Sequence, residues 1–236
     1  GGVEVEAEYI VGEYQIVVLS ATQSEGLFDW LNDHNYQLPG QSVPLLQEYI
    51  DGGSYFLAAK VNPEAGIQSG DRLSPLQLNY NSSVFQIPIR IGTLQAKDAQ
   101  DLVIYALNDY DLGRVGISNY EEFTIEDECM WETQGEEFGQ FYATNFSDGY
   151  DSTGKAAWTV EYAWGGGNCD PCSGLPPDET DLVSLGMDQE IVHYGQYFFT
   201  RLHMRYTPAQ VEEELMLYHT NITDQEQIRY IEYKSE

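Results

Sequence analysis

Strand and helix signals follow one another along this chain without the regular strand–helix–strand rhythm that a parallel sheet needs. That irregularity limits the fold more than any other feature. Residues 3–10, VEVEAEYI, alternate apolar with acidic side chains, as a half-buried strand does. YQIVVLSA (14–21) follows Gly12, and its central Ile-Val-Val-Leu run fits an interior strand. A helix is expected next, with Thr22 or Ser24 as cap and Leu27, Phe28 and Leu31 on one face. SVPLLQEYI (42–50) reads as a second helix with Ser42 as its cap, stopped by DGG. Further strands are expected at YFLAAKV (55–61), DLVIYAL (101–107), AAWTVEYAW (156–164) and QYFFTRLHMRY (196–206).

LSPLQLNY (73–80) and VFQIPIRI (84–91) suggest a hairpin, with Pro88 near an edge or bulge. Residues 136–147 suit helix or strand equally. Asp178–Leu185 predicts a short helix, and TPAQVEEELM from Thr207 predicts the start of another, with Pro208 at its first position. Together these give an α+β protein: a mixed, mainly antiparallel sheet, several short helices and room for two packed subdomains. The reading is one domain over residues 1–217, with a subdivision near 118, then a polar tail over 218–236.

Charge narrows the partners. The chain holds 39 Asp+Glu against 10 Lys+Arg, a net −29, and its lysines are only Lys60, Lys97, Lys155 and Lys234. Phosphate binding needs clustered cations, so a nucleic-acid partner is not expected. No apolar run approaches the roughly 18 residues of a membrane span. Hydrophobic residues at 42% still allow a substantial core. The acidity suits solubility, and the scarcity of lysine suits a saline exterior where counterions screen the repulsion.

Three cysteines leave one unpaired if the other two join. Cys169 and Cys172, in GGGNCDPCSG (165–174), have thioredoxin-like C-x-x-C spacing after a strand. Redox work needs a stabilised thiolate, yet Asp170, Asp178, Glu179 and Asp181 surround the pair in sequence. No Lys or Arg lies between Lys155 and Arg201, and SGLPP delays the next helix. A zinc site would need two further ligands with recognisable spacing. A structural disulfide that fixes a long loop is the preferred reading, with the redox pair as its rival. Cys129 is then the candidate free or intermolecular thiol.

Other motifs are weaker. GYDSTGKA (149–156) nearly fits a phosphate loop, but Ala156 removes the metal-binding hydroxyl and a strand follows where a helix is required. A glycine turn before a strand is the reading there. Asp109 and Asp111, and Asp148 and Asp151, place carboxylates close together as calcium would require, but neither run has the full loop spacing. Calcium is the one cofactor these pairs admit; plain turns account for them as well. Arg201, His203 and Arg205 fall on one face of a regular strand and form the one dense positive patch, fit to pair with acids or to hold an anion. No nucleophile with its base can be nominated. The 18 Tyr and 4 Trp suit the core and sheet faces, and any exposed ones suit sugar or protein surfaces.

The order of VGEYQIVVLSA, LFDWLNDHNYQLP, YFLAAKV, LSPLQLNY with PIRI, CDPCSG and FTRLHMRYTP resembles the bacterial family known as domain of unknown function 2330, over most of residues 9–210. The resemblance implies an extracytoplasmic protein and carries no activity with it. Members of that family have a longer N-terminal segment with a secretory signal. The first strand of this chain is therefore expected to meet that N-terminal half or a neighbouring subunit, because an unpaired edge needs cover. The expectation is a secreted or cell-envelope, non-enzymatic interaction or structural protein, a subunit of a larger extracellular assembly. The alternatives are an envelope thiol–disulfide oxidoreductase and a calcium- or carbohydrate-binding module.

Overall fold

A computed structural model describes residues 2–66, 71–125, 135–166 and 177–227. The chain gathers into two compact units, Gly1–Ser82 and Ser83–Glu236. Residue 118, where the sequence suggested a subdivision, lies inside the second.

In the first unit β1 (Val3–Val11), β2 (Tyr14–Ala21) and β3 (Phe56–Val61) form an antiparallel sheet with β2 in the middle. One face packs against α1 (Ser24–Asp33) and α2 (Val43–Asp51). Leu19, Leu27 and Leu46 are fully buried there, each worth about 1.5–3 kcal/mol of apolar burial. Neither expected cap forms. α1 begins at Ser24 itself, and the Gln47 side chain of α2 accepts from the Ser24 N–H at 3.0 Å. Ser42 Oγ turns back and donates to the Pro39 carbonyl at 2.6 Å instead of accepting from α2. At Ser24 a partner from α2 thus replaces the local cap, and at Ser42 the preceding turn takes the hydroxyl. β1 is largely exposed rather than half-buried, because it is an edge strand with a register shift between Val5 and Ala7.

The second unit is built on a four-stranded antiparallel sheet. β5 (Gln100–Asp109), β7 (Trp158–Gly165), β8 (Tyr197–Tyr206) and β10 (Glu226–Gln227) run in the order β10-β7-β8-β5. A smaller sheet joins β4 (Gln86–Ile87), β9 (Leu215–His219) and β6 (Val115–Ile117) in the order β4-β9-β6. Their shared core holds Trp158, Val160, Phe198, Leu202, Met204, Val115 and Leu215, all nearly or fully buried. Three short helices lie in the same unit, α3 (Arg90–Thr93), α5 (Glu179–Ser184) and α6 (Gln189–His193), besides the longer α4 (Gly135–Thr153). α5 starts in a capping box in which Asp178 and Asp181 bond each other's backbone N–H.

Two expectations fail. The hairpin over 73–91 is absent: only Gln86–Ile87 is strand, and it pairs with Met216 and Leu215 of β9. Pro88 ends that strand, and the buried Glu214 carboxylate accepts from the N–H groups of Ile89 (2.6 Å) and Arg90 (3.1 Å) to start α3. The helix expected after Thr207 stops as one 3₁₀ turn, Pro208–Gln210, and the chain turns extended at Val211. Glu214 is then taken by Ile89 and Arg90, and Leu215–His219 pairs with β4 and β6, so tertiary pairing overrides a sound local start.

Residues 135–153 settle as a helix, α4 (Gly135–Thr153), the longer of the two structures that region allowed. Phe138, Tyr142 and Phe146 recur at helical spacing and pack with Phe123 and Ile125. Among the described residues no helix is long and apolar enough to cross a membrane.

Candidate functional site at the outer face of the four-stranded sheet

β8 alternates without a break. Phe198, Thr200, Leu202, Met204 and Tyr206 point into the core, so Phe199, Arg201, His203 and Arg205 share the outer face. The sequence placed these three basic side chains together, and the fold surrounds them with acids. His203 Nδ1 lies 2.7 Å from Glu161 Oε1 and 3.0 Å from the Tyr142 hydroxyl, while Nε2 lies 3.0 Å from Asp101 Oδ1. The Tyr142 hydroxyl also donates to Glu161 Oε1. The rings of Tyr142 and Phe146, from α4, cover the imidazole at centroid distances of 5.3 and 5.0 Å.

Arg205 Nη1 stands 3.6 Å from Asp101 Oδ1. Arg201 Nε stands 2.7 Å from Glu161 Oε2, but its N–H does not point along that line, so the contact is an ion pair rather than a hydrogen bond. Of the two readings the sequence allowed, ion pairing accounts for His203 and Arg205. Arg201 differs: its terminal nitrogens make no hydrogen bond to a described residue, and its guanidinium lies 5.6 Å over the Tyr105 ring.

A bulge builds the rest of the face. β7 pairs Val160 with Leu202 and then Tyr162 with Arg201, leaving Glu161 as the extra residue. Glu161 and Tyr162 therefore emerge on the same side, and Trp164 follows them there. The outcome is a four-ring array across three strands. Trp164 stacks with Tyr162 (5.7 Å, 14°), Tyr162 meets Phe199 edge-on (5.6 Å, 62°), and Phe199 stacks with Tyr105 (5.8 Å, 25°). Tyr105 is 61% exposed. Burial pushes the Tyr162 hydroxyl above the ordinary phenol value, and Tyr197 adds to the shift, so the group remains a neutral donor. The glycine run after Trp164 has a steric reason: a Cβ on Gly165 would stand 2.7 Å from the Tyr110 ring.

The remaining candidates do not join this face. Asp109 ends β5 and Asp111 sits in the 3₁₀ turn Tyr110–Leu112. Asp148 and Asp151 lie within α4 rather than in a turn, where the backbone carbonyls serve the helix. Among the described residues no group of three or more His, Cys, Asp or Glu is arranged to hold a metal. Lys155 of the near phosphate loop pairs with Glu212 at 3.3 Å, and that carboxylate raises its pKa. Gly154 (φ +72°) provides the turn into β7 that the sequence suggested. An open cleft of about 320 Å³ is lined by Ser118, Asn119, Tyr120, Glu121, Thr153 and Lys155. Its Asn119 and Tyr120 are committed to the Glu213–Met216 backbone. Cys129, Cys169 and Cys172 lie outside the described residues.

A profile of the family described as "Uncharacterized protein conserved in bacteria (DUF2330)" matches residues 1–218. The chain belongs to this family. No curated protein and no solved structure matches it. Every residue of the outer face, from Asp101 to Arg205, falls within the DUF2330 match. Within it, sequence reading found the basic triplet but missed Asp101, Glu161, Tyr142 and the ring array. The available signals were the broken alternation at Glu161–Tyr162 and the Phe138/Tyr142/Phe146 stripe.

Proposed function

We propose that this protein works by contact, as a non-enzymatic interaction or structural protein of the bacterial exterior or cell envelope. Its contact surface is the open part of the outer face: Tyr105, Phe199, Tyr162, Trp164 and Arg201. The observation that carries the reading is a partly exposed ring array, open at Tyr105, with a half-exposed guanidinium above it whose tie is an ion pair to Glu161. Aromatic and arginine side chains dominate binding hot spots, because they bury large area at small entropic cost. The family resemblance and the scarcity of lysine support the extracytoplasmic setting.

The test is a photo-crosslinking residue placed at position 105 in a bacterium that carries the protein, with position 185 as control. Leu185 is 65% exposed and lies away from the outer face in sequence and in element. A discrete adduct from 105, absent from 185 and lost on Trp164→Ala, is the expected result. Equal labelling at both positions, or fractionation with the cytosol, sinks the proposal.

A further inference from the structure

We propose that the free edge of β5 accepts an added strand from a protein partner, an extended segment with a basic residue at each end and an aromatic residue at its centre. This rests on the contact reading above and specifies its mode. Among the described residues β5 is the last strand of its sheet; it pairs with β8 over ten residues and carries no register shift. Every second residue turns its N–H and C=O away from β8. Apart from the Asn108 side chain on the Asp109 carbonyl, no group of the described residues occupies that edge.

Edge strands are ordinarily protected by a bulge, proline, lysine or a covering loop. β1 has a bulge, and the far side of β7 is covered by β10. β5 has neither, and no Pro or Lys. Its outward side chains run Asp101, Val103, Tyr105, Leu107 and Asp109, and Asp101, Tyr105 and Asp109 are exposed.

The charges choose the occupant. A second copy of the chain, paired antiparallel about Tyr105, sets Asp101 against Asp109 at both ends, and like charges directly opposite are destabilising. Asp101 already holds His203 and Arg205, yet its side chain stays 47% exposed and can still face a cation. A partner strand with lysine or arginine opposite Asp101 and Asp109 gains at both ends. An aromatic residue opposite Tyr105 extends the ring array by one member. Backbone pairing supplies the affinity and these three positions the selectivity.

The experiment titrates the full chain at low salt with a synthetic alternating Thr/Val peptide that has tyrosine at its centre and lysine at each end. A glutamate-ended version is the control, and amide exchange across β5 is followed. The expected result is binding of the lysine-ended peptide, slowed exchange at alternate β5 amides, and a roughly tenfold weaker complex with Asp109→Lys. The Asp109→Lys protein should prefer the glutamate-ended peptide. Binding that perturbs the Trp164 and Tyr105 rings but leaves β5 exchange unchanged overturns strand addition and keeps the face. A dimer that protects β5 without peptide makes the occupant a second copy and overturns the basic partner. If neither peptide binds while the position-105 adduct persists, strand addition alone is wrong; if the adduct is also missing, the contact reading falls with it.

Discussion

The outer face of β8 has two ends with opposite fates. At one end His203 lies under Tyr142 and Phe146 of α4, is 8% exposed, and is held by two carboxylates. At the other, two residues along the same strand, Arg201 meets one of those carboxylates but keeps its terminal nitrogens open over Tyr105. Sequence spacing and chemistry barely distinguish these positions. The cover does. A polar group buried under a helix must be hydrogen-bonded or it destabilises the fold, so its pairing is structural. A charge on an open face gains little from its ion pair and can trade it for a ligand.

The comparison is broken most easily at the covered end. His203→Leu removes the imidazole that Glu161 and Asp101 share and leaves both carboxylates facing an apolar side chain. The expected loss is about 2–3 kcal/mol, the penalty for depriving the buried Glu161 carboxylate of a hydrogen-bond partner, read by urea unfolding. A loss below about 1 kcal/mol, as for exposed pairs, would mean that the two ends do not differ. Tyr142→Phe is the next largest. It deletes one hydroxyl shared by Glu161 and His203, for about 1–2 kcal/mol. Amide exchange should quicken along α4 and stay slow in β8. Equal quickening in both would show that the helix and sheet open as one unit.

Thr159→Val should move stability the other way. Thr159 faces His203 across the ladder, is 1% exposed, and its Oγ1 has no hydrogen-bond partner. Valine has the same shape without the stranded hydroxyl, so a gain of about 1 kcal/mol is expected. A loss instead would mean that the hydroxyl holds a buried water, and that the covered end is wet.

Much of this architecture is legible in the sequence, and the failures share a cause. β2, β5, β7 and β8 are visible because each is a run of apolar or alternating residues longer than any turn signal inside it. The basic triplet is visible because period-two spacing needs only one strand. What stays hidden depends on a second segment far along the chain. Glu214 bonds Ile89 and Arg90 across more than a hundred residues, and so cancels both a helix and a hairpin that local signals favoured. Asp101 and Glu161 reach His203 from two other strands. The array depends on a bulge, and a bulge reverses the face of every later residue in its strand. Regular alternation read through Glu161 sends Tyr162 and Trp164 to the wrong side.

The smallest thermodynamic effect is the one that sharpens the comparison most. Arg201→Gln removes an ion pair whose arginine side chain is 42% exposed, while Glu161 keeps His203 and Tyr142. Stability should change by about 0.5 kcal/mol or less, and by less still at high salt, because screening already weakens an exposed pair. The open guanidinium is nonetheless the one cation of the ring array, so the adduct at position 105 should fall several-fold. A variant that folds like the parent but loses its neighbour separates contact from scaffold on a single strand. If Arg201→Gln instead costs as much as His203→Leu, its charge belongs to the scaffold too, and the contact surface must be sought beyond β8.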